Sequence, residues 1–404
     1  MRILALLIPV SIFASIDISF NPEIHFGYTA DKPSWMSLVH IEDPYFSTLM
    51  APFASLKISF DLLGGEVVVS SKFRAPYYSS ISRTNLPSNA WMNSTLIEEA
   101  FWRYDDGRMK ILIGRRKRKF GYMEYPLSIG DHVPFLDGLD FKSGIFSYHV
   151  YALNPYLTPE EKKIQCGVVP INARYAYCDP VKIYMAHFLD FEYGNLEFSV
   201  GESALFWGKT PTIELNPFMI WHFLYEEGSM NSQLISFGKY EVSNLSFRYE
   251  IVIDDVALPP YEPEDVKPTA IGYAIGLDYS DVDFRASVEY YHTDDWIYNR
   301  EVPYSKFTAR FLRVTNTRYY EEYTLGFPFG PGSDLVIIRT KLSGFEMETG
   351  ILMKKGVHVW SDYKSDVVGI TVEPVANFTL KIELIELRMN FIGKERSFYA
   401  GLNL

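Results

Sequence analysis

Long apolar runs are almost absent from this chain of 404 residues. A membrane-spanning helix needs about 20 consecutive apolar residues, and the only approach to one, Ile3 to Ala14, is too short. Preceded by Arg2, that stretch reads as a secretory signal peptide over residues 1–14. Residues 15–404 are then an exported domain with no helical anchor. Cysteine is scarce as well. Cys166 and Cys178 stand twelve apart in a turn-rich segment, a spacing that suits one loop-closing disulfide outside the cytoplasm. A metal pair would need further ligands, and His187 is already nine residues beyond Cys178. The eight histidines are scattered, with no H-x-H or H-E-x-x-H, so neither a metal site nor a cofactor is expected. Positive charge is also short. With 38 basic against 50 acidic residues the net charge is −12, which argues against a nucleic-acid partner.

Aromatic residues are abundant instead. They make up 16% of the chain, with 29 Tyr and 29 Phe, types that suit pleated surfaces and membrane interfaces. Apolar and polar residues alternate through Leu56–Leu62, Leu196–Val200, Leu245–Ile251, Phe284–Tyr290 and Phe378–Leu384. A period of two marks a strand with one apolar and one polar face. A soluble sandwich and a membrane barrel share that signature.

Turn spacing separates them. Short turn signals fall at Gly64-Gly65, Asp105-Asp106-Gly107, Ser143-Gly144, Gly194-Asn195, Ser243-Asn244, Asp281, Thr315-Asn316, Ser343-Gly344 and Ala376-Asn377. Much longer connections intervene, near 75–94, 117–137, 154–180, 208–231, 255–270 and 292–304. Short turns alternating with long loops are the pattern of outer-membrane barrels, with the short turns and both termini in the periplasm. The fold expected is all-β, a single transmembrane antiparallel barrel of about 18 strands. Counting strands at Ile16–Tyr28 and Ser397–Leu404 allows 20. The chain ends on alternating Phe398, Ala400, Leu402 and Leu404, which resembles the signal read by the outer-membrane barrel assembly machinery.

A set of short motifs narrows this further. Ile113-Gly114-Arg115 is followed by Phe120-Gly121, Leu127-Ser128-Ile129-Gly130-Asp131 and Pro134-Phe135-Leu136-Asp137-Gly138. Then come Gly201-Glu202-Ser203, Asn216-Pro217-Phe218 and Asn231, Ile253-Asp254-Asp255 with Ile271-Gly272-Tyr273, Glu289-Tyr290-Tyr291 with Tyr298, and Gly326 through Asp334. In this order they resemble the Wzi-type capsule assembly family. The resemblance implies an outer-membrane barrel that binds surface polysaccharide and carries no catalysis. Phe120 stands where the family pattern has Trp. Residues 21–53, broken by Pro22, Pro33, Pro44 and Pro52, predict a strand pair rather than the family's helical segment.

The candidate glycan-binding or lumen residues follow from these motifs and from the chemistry of sugars. Arg115-Arg116-Lys117-Arg118-Lys119 is the densest charge run, and a lipid-facing Arg at mid-membrane costs about 2–4 kcal/mol. The run therefore belongs at a rim, or the strand ends and folds into the lumen. It would bind an acidic glycan or pair with acidic neighbours. Asp131, Asp137, Glu202, Ser203, Asn216, Asn231, Asp254 and Asp255 complete the polar candidates. Among the aromatics, Trp207 lies near a strand end, while Trp91, Trp221 and Trp296 lie deeper in loops and suit stacking on sugar rings. A nucleophile elbow is not indicated, because Gly201-Glu202-Ser203-Ala204-Leu205 lacks the second glycine of G-x-S-x-G.

Three functions remain open: a polysaccharide-binding barrel, a general porin for small solutes, and a structural envelope protein without ligand. The partners expected are outer-membrane lipid and, for the first, cell-surface polysaccharide.

Overall fold

The computed structural model describes residues 16–29, 54–73, 97–154, 157–167, 181–208, 216–221, 230–255, 269–299, 303–314, 318–360, 364–382, 385–392 and 395–403. The expected signal peptide, the loops near 75–94 and 255–270 (with Trp91), and Cys178 lie wholly or mostly outside these residues.

The strands are β1 (Ile16–Thr29), β2 (Ala54–Leu62), β3 (Gly65–Phe73), β4 (Ile97–Asp105), β5 (Met109–Arg116), β6 (Leu136–Ser143), β7 (Phe146–Leu153), β8 (Val181–Tyr193), β9 (Leu196–Gly208) and β10 (Met230–Val242). They continue as β11 (Leu245–Asp255), β12 (Ala270–Ser280), β13 (Phe284–Thr293), β14 (Thr308–Val314), β15 (Arg318–Thr324), β16 (Ser333–Leu342), β17 (Phe345–Trp360), β18 (Lys364–Ile382), β19 (Ile385–Ile392) and β20 (Glu395–Asn403). One helix, α1 (Pro159–Gly167), sits in a long connection.

Eighteen strands make one antiparallel barrel sheet, and β14 and β15 form a separate pair. Each wall strand lies beside its sequence neighbour, except that β13 pairs with β16. The first strand joins the two ends: Ile16–Pro22 run along β2 and Glu23–Thr29 along β20. Both ends of the wall thus run toward the short-turn side, with Ile16 opposite Phe60 and Asn403 opposite Glu23.

Which face is apolar decides the environment. Ile275 and Ile351 are 57% and 58% exposed, on the same side of the wall as Leu189, Val200, Leu234, Phe247 and Ile338. Arg248, Glu289 and Arg339 point the other way, with Glu289 fully buried. A soluble protein would invert this arrangement; apolar-out and charged-in is the pattern of a barrel in lipid. The apolar core accordingly sits in the lumen.

Two turn expectations are corrected. Ala376-Asn377 is no turn: β18 runs through it, with Ala376 opposite Thr349 and Asn377 opposite Glu348. The Asn377 side chain donates to Glu348 Oε1 at 2.6 Å, so this Asn serves the lumen, and β18 runs on to Ile382, which pairs with Ile385 of β19. Thr315-Asn316 does join two paired strands, β14 and β15, but they lie outside the wall. Ala309, Phe311 and Tyr323 of that hairpin are buried in the lumen core. Moving it inward leaves eighteen wall strands rather than twenty.

Candidate functional site

The wall stops at Arg116 because the charge run that follows cannot continue in lipid. Residues 117–135 turn into the lumen and lie across it as a plug. Phe120, Met123, Leu127, Ile129, Val133 and Phe135 are all buried there, each worth about 1.5–3 kcal/mol relative to exposure. Phe120 packs edge-on against Phe188, and Phe135 against Phe311 of the hairpin. The plug is a hairpin-like turn whose Phe120 N–H donates to Ile129 O at 3.0 Å.

Buried backbone needs partners, and the wall supplies them. Ser128 donates its N–H and its hydroxyl to Glu250 Oε1, at 2.9 and 2.7 Å. Glu124 N–H donates to Glu289 Oε1 at 3.2 Å, and Tyr125 N–H to the Tyr291 hydroxyl at 3.2 Å. Arg248 donates to Tyr122 O at 2.5 Å, and the Tyr122 hydroxyl to Glu197 at 2.8 Å. Burial, and then Glu197, push the Tyr122 hydroxyl pKa up, so it stays a donor.

A second infolded connection, between β13 and β16, presses on the first. The Tyr298 hydroxyl donates to Leu127 O at 2.5 Å and accepts from Phe327 N–H at 3.2 Å. Gly130 N–H donates to Leu325 O at 2.8 Å. His132 Nε2 stands 2.7 Å from Thr324 O, so it carries the ring proton. Gly326 makes the approach feasible: a Cβ there would stand 2.1 Å from Leu127 O. Lys182 of β8 anchors the hairpin through the carbonyls of Lys306 and Thr308, at 2.8 and 2.9 Å. From outside, α1 clamps the same hairpin. Its Glu161, in a capping box with Thr158, pairs with Arg310 at 2.6 Å.

A row of charges crosses the wall beneath the plug. Arg248 pairs with Asp278 and, at 2.8 Å, with Glu289; Arg339 pairs with both Glu289 and Glu348. Among the described residues, cavities open on this side beside the short turns. One, of about 820 Å³, is bordered by Lys117, Asp131, Arg285 and Lys341; another, of about 470 Å³, by Lys110, Arg116, Lys142 and Asp190.

The residues singled out by sequence scatter among distinct roles. Arg115 forms a two-pronged pair with Asp137, 2.8 Å on each prong, and lies 3.9 Å over the Phe135 ring. Arg118 is buried against Asp140 at 2.7 Å, and Arg116 covers Phe101. Much of the run is thus held by wall residues, while Lys117 and Asp131 stay exposed at the larger cavity. Ser203, Trp207, Asn231 and Asp254 are buried. Asn231 donates to Ser305 O of the infolded connection at 3.2 Å, and Gln233 reaches Asp254 within the wall at 3.5 Å. Asp255 ends β11 opposite Ala270. Asn216 is exposed and caps Phe218 N–H at 3.1 Å. Trp221 and Trp296, read from the sequence as sugar-stacking candidates, are buried in protein contacts. Cys166 is disulfide-bonded, and the chain has one other cysteine, Cys178. Among the described residues no cluster of three or more His, Cys, Asp or Glu has metal-site geometry.

Of the main sockets, Glu250 and Arg339 were not singled out, and Glu289 entered only as part of the E-Y motif, not as a site residue. A single inward charge per strand is the norm in a barrel lumen and carries no signal of its own.

No protein-family model and no curated protein matches the chain. Solved structures do. The chain is similar to Wzi of Escherichia coli, described as an outer-membrane protein involved in group 1 capsule assembly and a carbohydrate-binding β-barrel. The TM-score is 0.55 at 12% identity, over 95% of this chain and 84% of that one. It is also similar to Pseudomonas aeruginosa OpdK, solved with vanillate (TM-score 0.47, 7% identity, 97% and 99% covered), and to OpdP of the same organism (0.47, 10%, 98% and 93%). The fold is that of outer-membrane β-barrels.

Proposed function

We propose that this protein is a Wzi-type outer-membrane barrel that binds surface polysaccharide, with its long loops outside and both termini in the periplasm. The observation that carries this reading is the filled lumen. Two infolded loops share one apolar core and are docked by buried hydrogen bonds, an arrangement that suits a scaffold for outer loops better than a diffusion pore. The ordered motifs support it too, because they coincide with the plug and the wall around it. So does the likeness in fold to a barrel described as carbohydrate-binding. The candidate contacts in the wall and plug that stay exposed or half-buried are Arg115, Arg116, Lys117, Asp131 and Asp137. Catalysis by Glu202 with Ser203 is disfavoured, since neighbours on a strand point to opposite faces. Lipid surrounds the wall, and the C-terminal strand would engage the barrel assembly machinery.

Planar-bilayer conductance of the refolded protein, with and without cell-surface polysaccharide, tests the reading alongside a direct glycan-binding assay. The expected result is little conductance with measurable glycan binding. Large steady channels indifferent to glycan would overturn it in favour of the porin, which the cavities beneath the plug favour. Silence in both assays would leave a structural envelope protein.

A further inference from the structure

The wall of β7, β8 and β9 carries a feature that the plug does not explain. Glu202 lies opposite His187 on one side and Leu234 on the other. Leu234 is exposed on the lipid-facing side, as are Leu189 and Val200 in the same strands. Glu202 and His187 therefore face lipid, where a polar pair has no solvent to satisfy it. Yet Glu202 is buried. What covers it is residues 216–221, a piece of the long connection between β9 and β10.

Trp221 N–H donates to Glu202 Oε2 at 2.8 Å, and the Trp221 ring stacks on His187 with centroids 4.3 Å apart. The Pro217 carbonyl is a hydrogen-bond partner of the His187 ring. Phe218 stacks on Phe146 at 5.1 Å. Phe146 opens β7 directly after the short turn at Ser143-Gly144, whereas the connection itself starts and ends at the opposite, long-loop end. To reach Phe146 this segment has to descend the outside of the wall through the depth of the apolar belt.

We propose that residues 216–221 form a strap that lies in the hydrocarbon of the membrane against the outer wall, with Phe218 and Ile220 in contact with acyl chains. Phe218 is 79% exposed and Ile220 53%, and both continue the apolar face of Leu189, Val200 and Leu234. Irregular backbone is ordinarily excluded from lipid because its polar groups go unpaired. Here three of its N–H groups are paired. Phe218 N–H is capped by Asn216 Oδ1, Met219 N–H by Asn216 O at 3.2 Å, and Trp221 N–H by Glu202; Pro217 has no N–H. Glu202 and His187 are on the lipid-facing side because they satisfy the strap. They are positioning residues, and the N-P-F segment is what they position. The proposal depends on the barrel fold and not on the polysaccharide reading.

The chain's cysteines lend themselves to a direct test, since none of those described is free. Phe218→Cys, labelled with a nitroxide in the refolded full-length protein in bilayers, reports whether oxygen (lipid) or a water-soluble nickel chelate has access. Leu234→Cys on the bare wall and Val282→Cys in an exposed short turn calibrate lipid and water. The label at 218 should match Leu234: oxygen-accessible and shielded from nickel. Nickel access like that at Val282 would overturn the proposal, placing the strap in water. Shielding from both would overturn it too, in favour of cover by a second protein copy. Nickel access at Leu234 itself would instead defeat the membrane barrel. Adding Glu202→Ala should free the strap and raise nickel access at 218, while Glu202→Gln should not. An unchanged label in the Ala variant, in barrels that keep their heat-modifiable migration, would remove Glu202 from its role.

Discussion

Ser128 gives both its backbone N–H and its hydroxyl to a single oxygen of Glu250, joining the middle of the plug to the wall of the barrel. Both donors are buried, and so is the carboxylate. Glu250→Ala leaves them unpaired, at about 1–3 kcal/mol each. The plug should then leave its socket for part of the time. Single-channel recording should show openings that are absent from the parent protein, and Glu250→Gln, which keeps an acceptor oxygen, should suppress most of them. A silent Glu250→Ala barrel of unchanged heat resistance would show that this contact does not hold the plug.

The contact between the two infolded loops depends on the missing side chain of Gly326. A methyl group there would overlap Leu127 O and the Tyr298 ring, and overpacking of this kind costs about 1–3 kcal/mol. Gly326→Ala should lower the temperature at which the folded form is lost on gels and raise protease sensitivity near Leu127. Unchanged cleavage would mean that the loops relax apart without consequence.

Position within the charge row decides what each pair contributes. Arg339 serves Glu289 and Glu348, and Glu289 is fully buried. Arg339→Met should destabilise by about 3 kcal/mol, at the lower end for a broken buried pair because Arg248 still faces Glu289. Lys341 and Glu346 form a solvent-exposed pair one step nearer the short turns, and Lys341→Met should cost at most about 1 kcal/mol. Equal losses in thermal gel-shift assays would contradict this ranking.

Much of the wall was legible because its physics is local. Alternation from Leu245 to Ile251 specifies a two-faced strand, and Gly64, Gly144 and Gly194 mark turns that the structure contains. The errors have one cause: a residue type with two uses. Asn377 reads as a turn former and serves as a lumen donor. The turn signal at Thr315-Asn316 reads as another wall hairpin, and long-range contacts with Lys182 and Phe135 carry its strands into the lumen. The candidate site was legible as a set of motifs but not as a geometry. Glu202 and Ser203 were marked together, yet one faces lipid under Trp221 and the other faces the core. Loop depth marked Trp221 and Trp296 as sugar-stacking candidates, whereas both are buried against protein. Glu250 takes both donors of Ser128 and differs in no local way from other inward charges.

His132 makes plug docking sensitive to acid. Its ring, held between the plug and Thr324, has its pKa lowered to about 4 by burial, against 6.5 in water. The docked plug therefore favours neutral histidine, while an undocked, solvated plug takes up a proton below about pH 6.5. Docking is at full strength above that value, weakens as pH falls toward 4, and levels off below. The shift corresponds to at most about 3 kcal/mol. Channel openings in Glu250→Ala barrels, where the plug is already loosened, should become more frequent between pH 7 and 4 by this linkage. His132→Gln keeps a donor for Thr324 without a titrating ring, and should flatten the profile. A pH profile that survives this substitution would place the sensitivity in another group.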